Sequence, residues 1–206
     1  MKVKIVVFDW SGVISDDAEP VYWANMKILN EFGKPKMSFE EWKGRTTLSP
    51  REFLKNHGID EDPEKLFELY ARYFSEAPVR PKVFPDVKET FSYLKSKNKN
   101  IVVISSHPEQ NLRNEISEYG LDDYISSIYG SIKDKTYALI ILSETLKIPI
   151  SEILYVGDTI WDVMAAKKAG IHSAAVLTGY HSKEMLTEQT PELIINKLND
   201  LKKYIR

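Results

Sequence analysis

Five short apolar runs constrain this chain more than any other feature. Residues 3–8, 101–104, 153–156, 174–177 and 193–195 are rich in β-branched side chains, and stretches with helical periodicity separate them. A strand with one wet face alternates apolar and polar residues, whereas an unbroken run is buried on both faces, as in a parallel sheet covered by helices. Strands alternating with helices imply right-handed βαβ units. The expected fold class is therefore α/β with a parallel sheet, and residues 3–8 form its central strand.

At 206 residues the chain has room for one such core and a small inserted module. Residues 15–82 interrupt the alternation: amphipathic stretches recur at 21–32, 39–42, 51–57 and 64–74, with no convincing strand among them. They are expected to form a helical insertion, leaving 1–14 and 83–206 as the core. Pro78, Pro81 and Pro85 cluster at the return, where they would stiffen a linker.

Ligands of open parallel sheets bind at the carboxyl ends of the strands, so the residues that follow each run carry the functional information. After the first run come Asp9, Ser11 and Gly12, and after the second Ser105 and Ser106. Gly157, Asp158 and Asp162 follow the third. Three carboxylates at one edge repel one another unless a cation neutralises them. An oxygen-only site with room for water and a substrate phosphate suits Mg2+. The absence of cysteine removes disulfides, thiolate nucleophiles and thiolate-bound zinc from consideration.

A net charge of -2 with dispersed basic residues points away from nucleic acid and anionic membranes and toward a small soluble ligand. No apolar run is long enough to span a bilayer, and the opening residues turn acidic too soon for a signal peptide, so a cytoplasmic protein is expected.

Taken together, FDWSGVI, VVISS, a lysine ahead of a helix and VGDTIWD resemble, in order, the four motifs of the haloacid dehalogenase superfamily. The resemblance implies a Rossmann-like core with an inserted α-helical cap domain, and a phosphatase acting on a small phosphorylated metabolite through an aspartyl phosphate on Asp9. It implies metal ligation by Asp9, the Ser11 carbonyl and Asp158, with or without Asp162. Ser105 would bond a phosphoryl oxygen, and Ser106 would offer main-chain amides. The third-motif lysine is Lys135 or Lys133, with Lys135 preferred because it opens a helix. Trp10 could lean on substrate or pack beneath the cap, and Arg45 in Gly44-Arg45-Thr46 resembles a cap residue that meets an anionic leaving group.

One position departs from the phosphatase pattern. The residue two beyond the nucleophile is usually an aspartate serving as general acid and base; here it is Ser11, which predicts slow turnover of substrates with poor leaving groups. Phosphonoacetaldehyde hydrolases share Trp10 and Gly12, and a C–P bond cleavage of that kind would need a Schiff-base lysine such as Lys43 or Lys55. A weakly catalytic phospho-ligand binding protein is the third reading.

Overall fold

The computed structural model describes residues 1–47 and 49–206. It divides into two compact units, residues 1–16 with 82–206, and residues 17–81.

The larger unit is built on six parallel strands: β1 (Ile5–Phe8), β4 (Asn100–Ile104), β5 (Ile125–Tyr129), β6 (Ile153–Gly157), β7 (His172–Val176) and β8 (Leu193–Ile195). Their order is β5-β4-β1-β6-β7-β8, so the chain starts in the middle and winds outward both ways. Helices α5 (Val87–Ser96), α6 (Glu109–Glu118), α7 (Lys135–Leu146), α8 (Ile160–Ala169) and α9 (Lys183–Glu188) connect them. β1 is buried throughout because both faces are covered. Val6 and Phe8 face one apolar cluster with Phe91, Leu94, Leu112 and Ile116. Ile5 and Val7 face a second with Leu139, Leu142, Ala165 and Ala166. The parallel α/β core expected from the apolar runs is the core observed.

Two pairings were not legible. β5 carries Ser126 and Ser127 at the sheet edge, where one side needs no neighbour, so its sequence lacks the apolar run of the central strands. Its serine answers a local need: Ser126 Oγ donates to the Ile101 carbonyl at 2.7 Å, beside a register shift in the β4–β5 ladder. The other pairing is a two-residue antiparallel ladder of β2 (Ser15–Asp16) and β3 (Lys82–Val83), too short to leave a periodic signal. It places Ser15, Asp16 and Lys82 with the larger unit, inside the stretch the sequence assigns to the insertion.

The smaller unit contains four helices: α1 (Ala18–Glu31), α2 (Phe39–Lys43), α3 (Pro50–Asn56) and α4 (Pro63–Ser75). The last three start where sequence chemistry says they should, with Ser38, Ser49 and Asp62 accepting main-chain N–H groups of the following turn. Trp42 is buried against Tyr22 and Phe39, with ring centroids 5.5 and 5.6 Å away. Trp23, expected in the same small core, is instead half-buried and lines a shallow apolar pocket with Pro20, Phe39 and Val79.

Candidate active site

Register alone brings the motif residues to one edge. Phe8 pairs with Val103 on one side and Val156 on the other, so Asp9, Ser105 and Asp158 all emerge at the carboxyl ends of adjacent strands. Asp9, Asp158 and Asp162 are buried, and each contributes an oxygen lying within 4.8 Å of the other two.

Lys135, the first residue of α7, supplies the only cationic side chain paired with this cluster among the described residues: Nζ lies 2.7 Å from Asp9 Oδ2 and 2.6 Å from Asp162 Oδ1. Lys133 is exposed two residues earlier. Asp134 caps α7 by accepting the Tyr137 N–H, which fixes where the helix begins and therefore where Lys135 points.

The two Asp162 oxygens are fully engaged. Oδ1 accepts from Lys135 and from the buried Tyr155 hydroxyl at 3.0 Å, and Oδ2 accepts from the Thr159 N–H and hydroxyl at 3.1 and 2.6 Å. Thr159 and Asp162 form a capping box at the start of α8, so this carboxylate caps the helix and anchors Lys135 at once. Asp9 and Asp158 differ: Oδ1 of each is buried and lacks a hydrogen-bond partner among the described residues. Two orphaned carboxylate oxygens in one cluster are the arrangement that a hard divalent cation satisfies.

Charge supports the same inference. Three ionised carboxylates and one ammonium leave two net negative charges in a buried space. Burial, with Asp162 and Asp9 adding to it, pushes the Asp158 carboxyl well above its ordinary 3.8. Burial also raises Asp9, against the pull of Lys135. Asp162 is lowered: burial opposes this, but Lys135, Thr159 and Tyr155 outweigh it. Lys135 is raised because Asp162 and Asp9 overcome its own desolvation, and Tyr155, raised by burial and the same carboxylates, stays a neutral donor.

Space around the carboxylates is closed by glycine. Gly12 has φ +73°, and a Cβ there would come within 3.0 Å of Asp158 Oδ2 and stand 2.9 Å from Gly179 Cα. A Cβ on Gly157 would likewise overlap Asp162.

The remaining sequence candidates separate. Ser105 is buried at the end of β4, and its Oγ accepts the His107 N–H; Ser106 is exposed beside it. Ser11 is partly exposed in the turn after Asp9. Trp10 is not free to meet a ligand: the side chain has no exposed surface, stacks on Tyr119 at 5.7 Å, and donates from Nε1 to Glu115 Oε2 at 2.6 Å. Glu115 also meets His107 Nε2 at 3.0 Å, so this carboxylate ties the first motif loop to the second. Arg45 lies in the smaller unit, exposed and paired with Glu41 at 2.7 Å. Lys43 is half-buried over the Phe39 ring and Lys55 is exposed, so neither is the desolvated amine that Schiff-base chemistry needs.

The Trp10 correction is testable. Trp10→Phe keeps the stack and removes the indole donor, and should cost about 1–2 kcal/mol of stability with KM changed by no more than about twofold. Thermal denaturation and steady-state kinetics check both halves; a KM raised about tenfold would restore a substrate contact.

The sequence profile of the haloacid dehalogenase-like hydrolases matches residues 6–176. The chain belongs to this family. Among curated hydrolases it is similar to phosphoglycolate phosphatase 1 of Pseudomonas aeruginosa, 28% identical over 96% of this chain and 78% of that one. Phosphoglycolate phosphatase of Aliivibrio fischeri is 24% identical over 97% and 95%. In fold it resembles a haloacid dehalogenase-like family protein from Streptococcus pneumoniae, with TM-score 0.82, 18% identity and 98% of each chain covered. A hydrolase from Pseudomonas syringae aligns at TM-score 0.80 and 19% identity over 98% and 97%. As a member of this hydrolase family the chain is an enzyme, and none of its described helices is long and apolar enough to cross a membrane.

Proposed function

We propose that this hydrolase is a divalent-cation-dependent phosphatase of small phosphomonoesters, with Asp9 as nucleophile. The carrying observation is the pair of orphaned oxygens on Asp9 and Asp158 beside a lysine bonded to both Asp9 and Asp162. Asp9 and Asp158 would hold the cation with the Ser11 carbonyl, and Asp162 is best read as the residue that positions Lys135. When bound, Mg2+ supplies positive charge to phosphoryl oxygens as charge builds up in transfer.

In the first step an Asp9 carboxylate oxygen bonds to phosphorus while the bond to the leaving oxygen breaks. That oxygen takes its proton from water, because Ser11 has no useful acid to offer. Lys135 stays protonated throughout and holds the carboxylate and the phosphoryl group together by charge. In the second step water attacks phosphorus, the Asp9–phosphorus bond breaks, and phosphate leaves with the proton balance passing to solvent. Ser105, buried at the adjacent strand end, would donate to a phosphoryl oxygen. The similarity to phosphoglycolate phosphatases over nearly the whole chain supports a small substrate that carries a carboxylate near the phosphate, and 2-phosphoglycolate is the first to test.

Restoring a carboxylic acid at the second position separates the two steps. Ser11→Asp should raise kcat on 2-phosphoglycolate by about 10- to 100-fold and hardly change p-nitrophenyl phosphate, whose leaving group needs no acid. Parallel phosphate-release assays on both esters check it, and equal effects on the two would count against an acid-base deficit at Ser11.

The shifted carboxyls also predict a pH-dependent response to metal. A carboxyl held above its unfolded value binds its proton more tightly when folded, so Asp158 and Asp9 cost the metal-free protein stability as pH rises above 3.8 through their raised values. Asp162, held low, acts in the opposite sense below 3.8. The cation competes with those protons. A saturating divalent cation should raise Tm by about 5–10 °C at about pH 7.5 and by clearly less at about pH 5. A pH-independent shift would contradict binding at these carboxylates.

A further inference from the structure

The loop leaving β7 belongs to none of the four motifs, yet its residues grip three parts of the site. Thr178 Oγ1 donates to the Gly12 carbonyl at 2.8 Å, on the turn after Asp9. The Tyr180 main-chain N–H donates to Asp158 Oδ2 at 2.7 Å. His181 is buried, and its Nδ1 accepts the Ile160 N–H at 2.9 Å, at the first residue of the helix that bears Asp162. Between them sits Gly179, where a Cβ would come within 3.0 Å of the Asp158 Oδ2, Cγ and Cβ atoms. Its φ lies outside the left-handed range, so lack of space and not backbone freedom demands glycine there.

An aspartate carboxyl rotates through a broad torsional well, and a free one could offer either oxygen to a cation. Here Oδ2 is held by one amide and walled in by Gly179 and Gly12, while Oδ1 has no partner among the described residues. We propose that residues 178–181 act as a clamp that fixes which Asp158 oxygen meets the divalent cation and locks the turn after the nucleophile to the same frame. The inference rests on the phosphatase reading above. Thr178 and Gly179 are positioning residues: they act through Gly12 and Asp158 and need touch neither substrate nor metal.

The test is calorimetric titration of the whole protein with Mn2+, alongside thermal denaturation, for wild type, Thr178→Val, Thr178→Ser, Gly179→Ala and Asp158→Asn. Outer-shell partners of a metal site are worth about 10- to 100-fold in metal affinity. Gly179→Ala and Thr178→Val should weaken Mn2+ by about 10-fold or more, Thr178→Ser should bind as wild type does, and the losses should not track Tm. If Gly179→Ala does not fold, the Thr178 pair decides alone, since valine and serine differ in the hydroxyl. Wild-type binding with Thr178→Val within about twofold of it would overturn the clamp and leave the phosphatase reading standing. No Mn2+ binding by wild type would overturn both.

Discussion

Asp9→Asn should leave a folded protein whose phosphatase activity has fallen by about 10³-fold or more, with no activated ester able to rescue it. The substitution is nearly isosteric, and Lys135 keeps its contact with Asp162 at 2.6 Å, so the fold has little reason to change. What is lost is specific: an amide is a poor nucleophile toward phosphorus and a weaker ligand than a carboxylate. Steady-state assays with p-nitrophenyl phosphate, paired with thermal denaturation, separate chemistry from folding. Retained activity in a folded Asp9→Asn protein would mean that another group attacks.

Lys135→Met should show a different signature. The ammonium bridges Asp9 and Asp162 in a nearly buried space, and removing it strands those carboxylates with Asp158. Breaking a buried ion pair by deleting one partner costs about 3–5 kcal/mol, so the metal-free variant should melt well below wild type. Adding a divalent cation should recover part of that loss, because the cluster is now more negative and binds the cation at least as well. Activity should not recover with it. Without a fixed cation to offset phosphoryl charge, kcat should stay down by about 10²- to 10³-fold at saturating metal. Calorimetry and kinetics on the same sample check this pairing; a kcat restored in step with metal occupancy would make Lys135 merely structural.

Sequence reveals the strands buried on both faces, because complete burial writes itself as an unbroken apolar run. It also reveals the carboxylates, because the edge of a parallel sheet is reached by counting one residue past each run. It hides β5, whose edge position tolerates two serines, and the two-residue ladder of Ser15–Asp16 with Lys82–Val83. Trp10 was ambiguous for a related reason. Its partner Glu115 lies 105 residues away, and only the fold makes that indole a buried donor and not a surface platform. The dual role of Asp162 was half legible, since Thr159-x-x-Asp162 has the spacing of a capping box, but the Tyr155 hydroxyl beneath it comes from inside an apparently apolar strand. Gly179 leaves no signal at all, because only the approach of Asp158 explains it.

The central claim is that phosphorus passes through Asp9, and rapid acid quenching of a single turnover tests it most directly. With labelled substrate and Mg2+, the account predicts a hydroxylamine-labile phosphoryl group on the peptide containing Asp9, appearing before free phosphate and lingering because Ser11 gives no base to the second step. Product released in the first turnover with no label on that peptide, or with label on another residue, would contradict it.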